Sequence, residues 1–253
     1  MTICYFTASG NCLYVARRIG GTLLSIPQLM LRERIEIEDD AVGIVCPVYA
    51  VELPFMIVDF MKKADIRTDY FFFILTCGYG YEVSLGHVEV AARERGWDLK
   101  YGKGVFMVDN YLPFFDMDEE ISKLPGKDVE GQLDKICADI QARKEQRVML
   151  TPELKAQMEH YHNNHAPNVI NKNMALDYIV NDDCIRCGIC AKVCPANNIA
   201  VTEDGIRFSD HCEVCYACLH NCPKKAIHLP VEKADARFRN EHVTLMDIVK
   251  SNE

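Results

Sequence analysis

The chain has 253 residues, 49% hydrophobic and 26% charged. That is room for one large or two modest domains, with a composition ordinary for a globular protein. A formal net charge of −9 makes nucleic acid and anionic membranes poor partners. No apolar run approaches the length of a membrane span. The opening Met1–Phe6 lacks the marks of a secretory signal, so thirteen cysteines point to a reducing cytoplasm and not to a disulfide scaffold.

In chain order, Ile3–Phe6 is a short apolar run that predicts a strand. The turn Thr7-Ala8-Ser9-Gly10-Asn11-Cys12 leads into helical spacing over Leu13–Leu24. Hydroxyls, a glycine and free backbone N–H groups at a helix start form a phosphate cradle. The turn has neither the dinucleotide glycine pattern nor a Gly-Lys-Ser/Thr. Ala41–Val48 and Tyr70–Thr76 are near-continuous apolar runs, as expected of strands buried on both faces of a parallel sheet. Pro54–Lys63 and Val83–Arg95 predict the helices between them, Leu99–Val108 a last strand, and Val129–Lys144 a last helix. This alternation is the rhythm of a doubly wound α/β sheet over residues 1–147.

Spacing through Ile3, Tyr5, Thr7, Gly10 and Ala16 resembles the flavodoxin family. The resemblance implies a flavodoxin-like fold with FMN at the C-terminal ends of the strands. It implies a phosphate site at Thr7, Ser9, Gly10, Asn11 and Cys12. The isoalloxazine ring would lie between Pro47-Val48-Tyr49 and Thr76-Cys77-Gly78-Tyr79-Gly80. Tyr49 or Tyr79 would stack on the ring, and Gly78 and Gly80 would permit close backbone approach. Cys12 departs from the family, which carries a Thr there. The aromatic stretch Asn110–Phe115 is expected either to wall that pocket or to pack on the core. Asp116–Glu120 reads as a solvated acidic face.

Residues 148–173 are polar, rich in His and Asn, and read as a linker with one helix; His160, His162 and His165 read as solvated. Residues 174–232 hold two cysteine runs. They are Cys184-x2-Cys187-x2-Cys190-x3-Cys194-Pro195 and Cys212-x2-Cys215-x2-Cys218-x3-Cys222-Pro223. This is the bacterial ferredoxin spacing written twice, in which the fourth Cys of each run ligates the other cluster. One [4Fe–4S] cluster is thus expected on Cys184, Cys187, Cys190 and Cys222, and a second on Cys212, Cys215, Cys218 and Cys194. Zinc has no use for a third Cys on the same spacing, and bridges within so short a loop would be strained. Oxygen-sensitive clusters fit an anaerobic host. Residues 233–253 read as a charged tail with one short helix.

The whole chain resembles the EFR1-type flavo-ferredoxins, a flavodoxin-like domain fused to a small α+β two-cluster ferredoxin domain. The resemblance implies electron transfer between clusters and FMN. It also implies a partner redox protein, such as a ferredoxin, as donor or acceptor. Two readings remain: an oxidoreductase acting on a small-molecule acceptor, and a carrier that docks another redox enzyme. A redox sensor would need an output domain, and none is evident.

Overall fold

The computed structural model describes residues 1–253. Seven strands run through the first half: β1 (Thr2–Tyr5), β2 (Thr22–Ser25), β3 (Ile35–Glu38), β4 (Ala41–Pro47), β5 (Ala64–Arg67), β6 (Tyr70–Cys77) and β7 (Leu99–Phe106). Five form one parallel sheet in the order β2-β1-β4-β6-β7, while β3 and β5 pair as a separate parallel ribbon. The interior strand β6, Tyr-Phe-Phe-Phe-Ile-Leu-Thr-Cys, is buried at every position. Such a sequence suits a strand covered on both faces. The ribbon strand β3 alternates buried Ile with exposed Glu, as expected where one face meets solvent.

The covering helices are α1 (Asn11–Ile19), α2 (Ile26–Met30), α3 (Phe55–Lys63), α4 (Glu82–Glu94), α5 (Met117–Ser122), α6 (Leu124–Lys127) and α7 (Val129–Gln141). The expectation of one helix over Leu13–Leu24 is corrected: α1 stops at Ile19, and residues 22–25 form β2. Gly20 and Gly21, with φ of 85° and 100°, take conformations that a helix cannot continue through. Glu120 is also corrected. Instead of lying on a solvated face it is fully buried, ion-paired with Lys123 and Lys127, and accepts from the Tyr79 hydroxyl at 3.0 Å.

The expected linker is largely helical, as α8 (Pro152–Asn164) and α9 (Ala166–Val169). The α8 helix packs on α4, where Met158 lies directly over Gly86. The small C-terminal region follows, with β8 (Ile179–Val180), α10 (Ile189–Lys192), β9 (Ile199–Thr202), β10 (Gly205–Phe208), α11 (Ala217–His220) and β11 (Ile227–His228). Its strands pair antiparallel, β9 with β10 and β8 with β11. No helix is long and apolar enough to cross a membrane.

The two regions share their interior. Val193, Cys215 and Ala217 belong to the core built around the parallel sheet, and so do Val243, Ile248 and Val249 of the final segment. That segment ends in α12 (Leu245–Lys250), capped reciprocally by Thr244 and Asp247. It lies back along the start of the chain. The Tyr5 and Ser251 hydroxyls are 3.0 Å apart, Ser25 Oγ donates to the Ser251 carbonyl, and Arg17 pairs with Asp247.

Candidate functional site

The turns after β1, β4, β6 and β7 meet at the C-terminal ends of the sheet strands. In the first, Gly10 takes φ 102° and opens α1. The backbone N–H groups of Thr7, Ala8, Ser9 and Gly10 donate to nothing in the protein. The buried Thr7 hydroxyl also has no partner. Buried donors without partners are rare, and at a helix N-terminus they suit an anion such as a phosphate monoester. Cys12 Sγ lies 3.1 Å from Thr76 Oγ1, and burial pushes the thiol up to about 12.

The second turn is a hairpin closed by Tyr49 N–H to the Glu52 carbonyl at 3.0 Å and Glu52 N–H to the Tyr49 carbonyl at 2.8 Å. Ala50 and Val51 between them have φ of 51° and 69°. Such a turn ordinarily takes Asn-Gly, and a β-branched residue there is strained. The hairpin is held from outside. Ser84 Oγ donates to the Val51 carbonyl at 2.8 Å, and Glu52 Oε1 lies 3.3 Å from His87 and 3.2 Å from His162. His162 was expected to be solvated, and it does remain mostly exposed while making this contact.

The third turn brings Gly78 against Asp109, where a Cβ would fall 2.3 Å from the carboxylate. Asp109 Oδ1 accepts from the Tyr111 N–H at 3.2 Å, and burial pushes its carboxyl above the usual range. Tyr79 stands at the surface with its ring stacked on Phe115 at 5.5 Å.

A narrow cleft lined by Thr7, Ser9, Asn11, Cys12, Pro47 and Thr76 lies beside a cavity of about 340 Å³. The two share Val48, Tyr49, Cys77, Gly78, Asp109 and Asn110. Tyr79 and Gly80 line the larger cavity, with Tyr111, Phe114 and Phe115. Among the residues expected at a phosphate and ring site, Gly10 alone lines neither space. Its Cα faces away from them, and a Cβ there would sit 2.9 Å from Val243 Cβ. Sequence reasoning missed Asp109 and His165, and it missed the wall contributed by Val214, Cys215 and Tyr216. It also missed how this wall is tied to the first turn. Asn110 Nδ2 donates to Ser9 Oγ at 2.6 Å, the Asn110 carbonyl accepts from His220 Nε2 at 3.0 Å, and His220 Nδ1 accepts from the Phe238 N–H at 3.1 Å. His220 is buried between them, and that burial brings its pKa down to about 4.

The cysteine runs fold alike. Arg186 and Gly188 in the first, and Val214 and Tyr216 in the second, take positive φ between 53° and 77°. Each loop thereby curls its thiols about a point. Cys184, Cys187, Cys190 and Cys222 surround one small cavity, and Cys194, Cys212, Cys215 and Cys218 surround another. Backbone N–H groups of Asn198, Val214 and Ala226 donate to the sulfurs of Cys194, Cys212 and Cys222 at 3.2–3.3 Å, a contact that tunes cluster potentials. Burial pushes Cys190 and Cys212 up to about 11, and Cys215 and Cys218 further. Four convergent thiols at one point suit iron, whose charge deprotonates a coordinating thiol outright.

Residues 176–223 match the family model of a 4Fe-4S dicluster domain. The chain is similar to the polyferredoxin protein MvhB of Methanothermus fervidus, with 32% identity over 72 residues. That stretch takes in 28% of this chain and only 15% of the relative. The C-terminal region is thus an iron–sulfur, ferredoxin-like domain, which implies electron transfer.

Proposed function

We propose that this chain is an FMN- and iron–sulfur-dependent electron-transfer oxidoreductase. In this reading residues 1–147 form a flavodoxin-like FMN domain and residues 174–232 a two-cluster ferredoxin domain. The strand order supports the first assignment, since the main strands counted along the chain run 2-1-3-4-5 across the sheet, the order of flavodoxin-like folds. The free N–H groups and the orphaned Thr7 hydroxyl would hold the phosphate. The ring would lie in the cavity walled by Tyr49, Cys77, Gly78 and Tyr79. The cysteine groupings support one [4Fe–4S] cluster on Cys184, Cys187, Cys190 and Cys222 and another on Cys194, Cys212, Cys215 and Cys218.

The observation that carries the proposal is Cys215, which lines both the second thiol cavity and the large cavity. A ligand of one redox group thus forms the wall of the other's site. Flavin exchanges one or two electrons and so joins single-electron carriers to two-electron chemistry. The mostly apolar cavity favours a small-molecule acceptor. The second reading, a carrier docking a partner enzyme, draws on the exposed Phe114 at the cavity.

The test is anaerobic reconstitution with iron, sulfide and FMN, followed by rapid mixing with a one-electron reductant. Cluster bleaching should precede flavin bleaching, with the second phase independent of protein concentration. Failure to retain FMN, or flavin reduction that scales with reductant alone, would overturn the reading.

A further inference from the structure

The two thiol sets differ in how they meet solvent. Cys194, Cys212, Cys215 and Cys218 are all buried, whereas Cys187 is exposed and Cys184 and Cys222 are half-buried. The first set is therefore the one that reaches solvent, and its cavity shares no lining residue with the large cavity that Cys215 walls. Ile185, between Cys184 and Cys187, is 60% exposed, and Pro223 beside Cys222 is exposed as well. The charged side chains lining this cavity are Arg186 and Lys224. Both are exposed. Arg186 donates to the Glu203 carbonyl at 2.7 Å, and neither it nor Lys224 has a carboxylate within ion-pair distance. Lys225 follows, with only Asp235 at 3.9 Å. Asp182 and Asp183 precede Cys184 but do not line the cavity, and Asp183 accepts from Asn181. In a chain of net charge −9, this is a small apolar spot rimmed by unneutralised cations.

We infer that the face around Cys184, Cys187 and Cys222 is the electron port, and that it docks an acidic one-electron carrier protein. The inference rests on the cluster assignment proposed above, but not on the flavin. Charge complementarity selects the occupant: an anionic patch on the carrier meets Arg186 and Lys224, while Ile185 and Pro223 supply the dry contact. Such an interface belongs with small, transient redox encounters, in which rim charges set the association rate and its salt dependence. One electron leaves the carrier, which is oxidised, and enters the cluster held by Cys184, Cys187, Cys190 and Cys222, which is reduced. No bond is made or broken.

The probe is a reduced, acidic two-cluster ferredoxin, titrated anaerobically onto the reconstituted full chain. Binding is read by calorimetry and the association rate by rapid mixing. Arg186→Glu with Lys224→Glu should slow association on the order of tenfold or more at low salt and flatten the salt dependence. Arg34→Glu, in the turn before β3, should change neither. Iron, sulfide and FMN contents of each variant distinguish lost docking from a lost cofactor. Full cofactor content with unchanged association in the double variant would overturn the port. Retained docking in protein that never binds FMN would leave the port standing and sink the flavin proposal. If a cationic carrier binds more tightly than the acidic one, the charge argument fails.

Discussion

Asn240 donates its backbone N–H to the carbonyl of Ser9 at 2.8 Å. Its side chain reaches Asn11 Oδ1 at 3.1 Å, Asn221 donates to the Ala8 carbonyl at 3.2 Å, and His242 stacks on Tyr14 at 4.4 Å. The first turn of the protein is thus braced from behind by its last residues, leaving its donors free on the opposite side.

This brace changes what Gly10→Val should do. Gly10 lies in the turn expected to hold a phosphate, yet a side chain there would clash with Val243 and Asn240. Left-handed backbone costs a side-chain-bearing residue about 1–2 kcal/mol, and overpacking adds typically ~1–3 kcal/mol. Urea melts of protein without flavin should show the loss. An unchanged melting midpoint, with only FMN affinity reduced, would put the glycine back in the ligand site.

Thr7→Ala should behave in the opposite way. The hydroxyl is buried without a partner, so removing it should leave the stability of flavin-free protein unchanged or raised. FMN affinity should fall about 10–100-fold, the worth of one hydrogen bond to a charged group. Quenching of flavin fluorescence on titration measures this. Cys12→Thr should tighten FMN by less, because that side chain already faces Thr76.

How much of this was legible beforehand differs by feature. Cysteine spacing is local, so the eight cysteines that gather about two small cavities could be read directly, and the apolar runs of β1, β4, β6 and β7 were equally plain. The strand β2 was not, since four residues after two glycines carry no period of their own. The brace joins Asn240 to Ser9 across the whole chain, and no pattern in either segment announces a contact at such separation. Glu120 looked solvated because nothing in the sequence says that Lys123, Lys127 and Tyr79 converge on it.

Under the proposed ligation, the reconstituted chain should contain about eight iron and eight sulfide. Cys222→Ser should perturb the paramagnetic spectrum of the exposed cluster, and Cys194→Ser that of the buried one. The reverse pattern would reject the crossed ligand sets. Stripping iron with a chelator should loosen residues 176–223, because it leaves eight thiols, several of them buried, around empty space. Hydrogen exchange should locate that loosening.

Asp109 sets a pH dependence. Its folded carboxyl holds its proton more tightly than an unfolded one, because burial disfavours the charge. Stability therefore falls as pH rises above the ordinary aspartate range, through the raised value. Asp109→Asn removes that loss while its amide oxygen can still accept from Tyr111. Urea midpoints of variant and wild type should differ most at neutral pH and converge near pH 4. A constant difference across that range would show that burial of charge is not the cause.

The final segment also has a kinetic consequence. The iron–sulfur region is fastened ahead by α8 on α4 and behind by α12 along β1 and α1. Being held at both ends, it cannot swing like a domain on a flexible tether, whose encounters depend on linker length and effective concentration. Under the proposed function, passage between its buried thiol set and the neighbouring cavity would be set by a fixed separation across Cys215. That step should proceed at one rate in dilute or viscous solution, and only the encounter with an outside partner should feel diffusion.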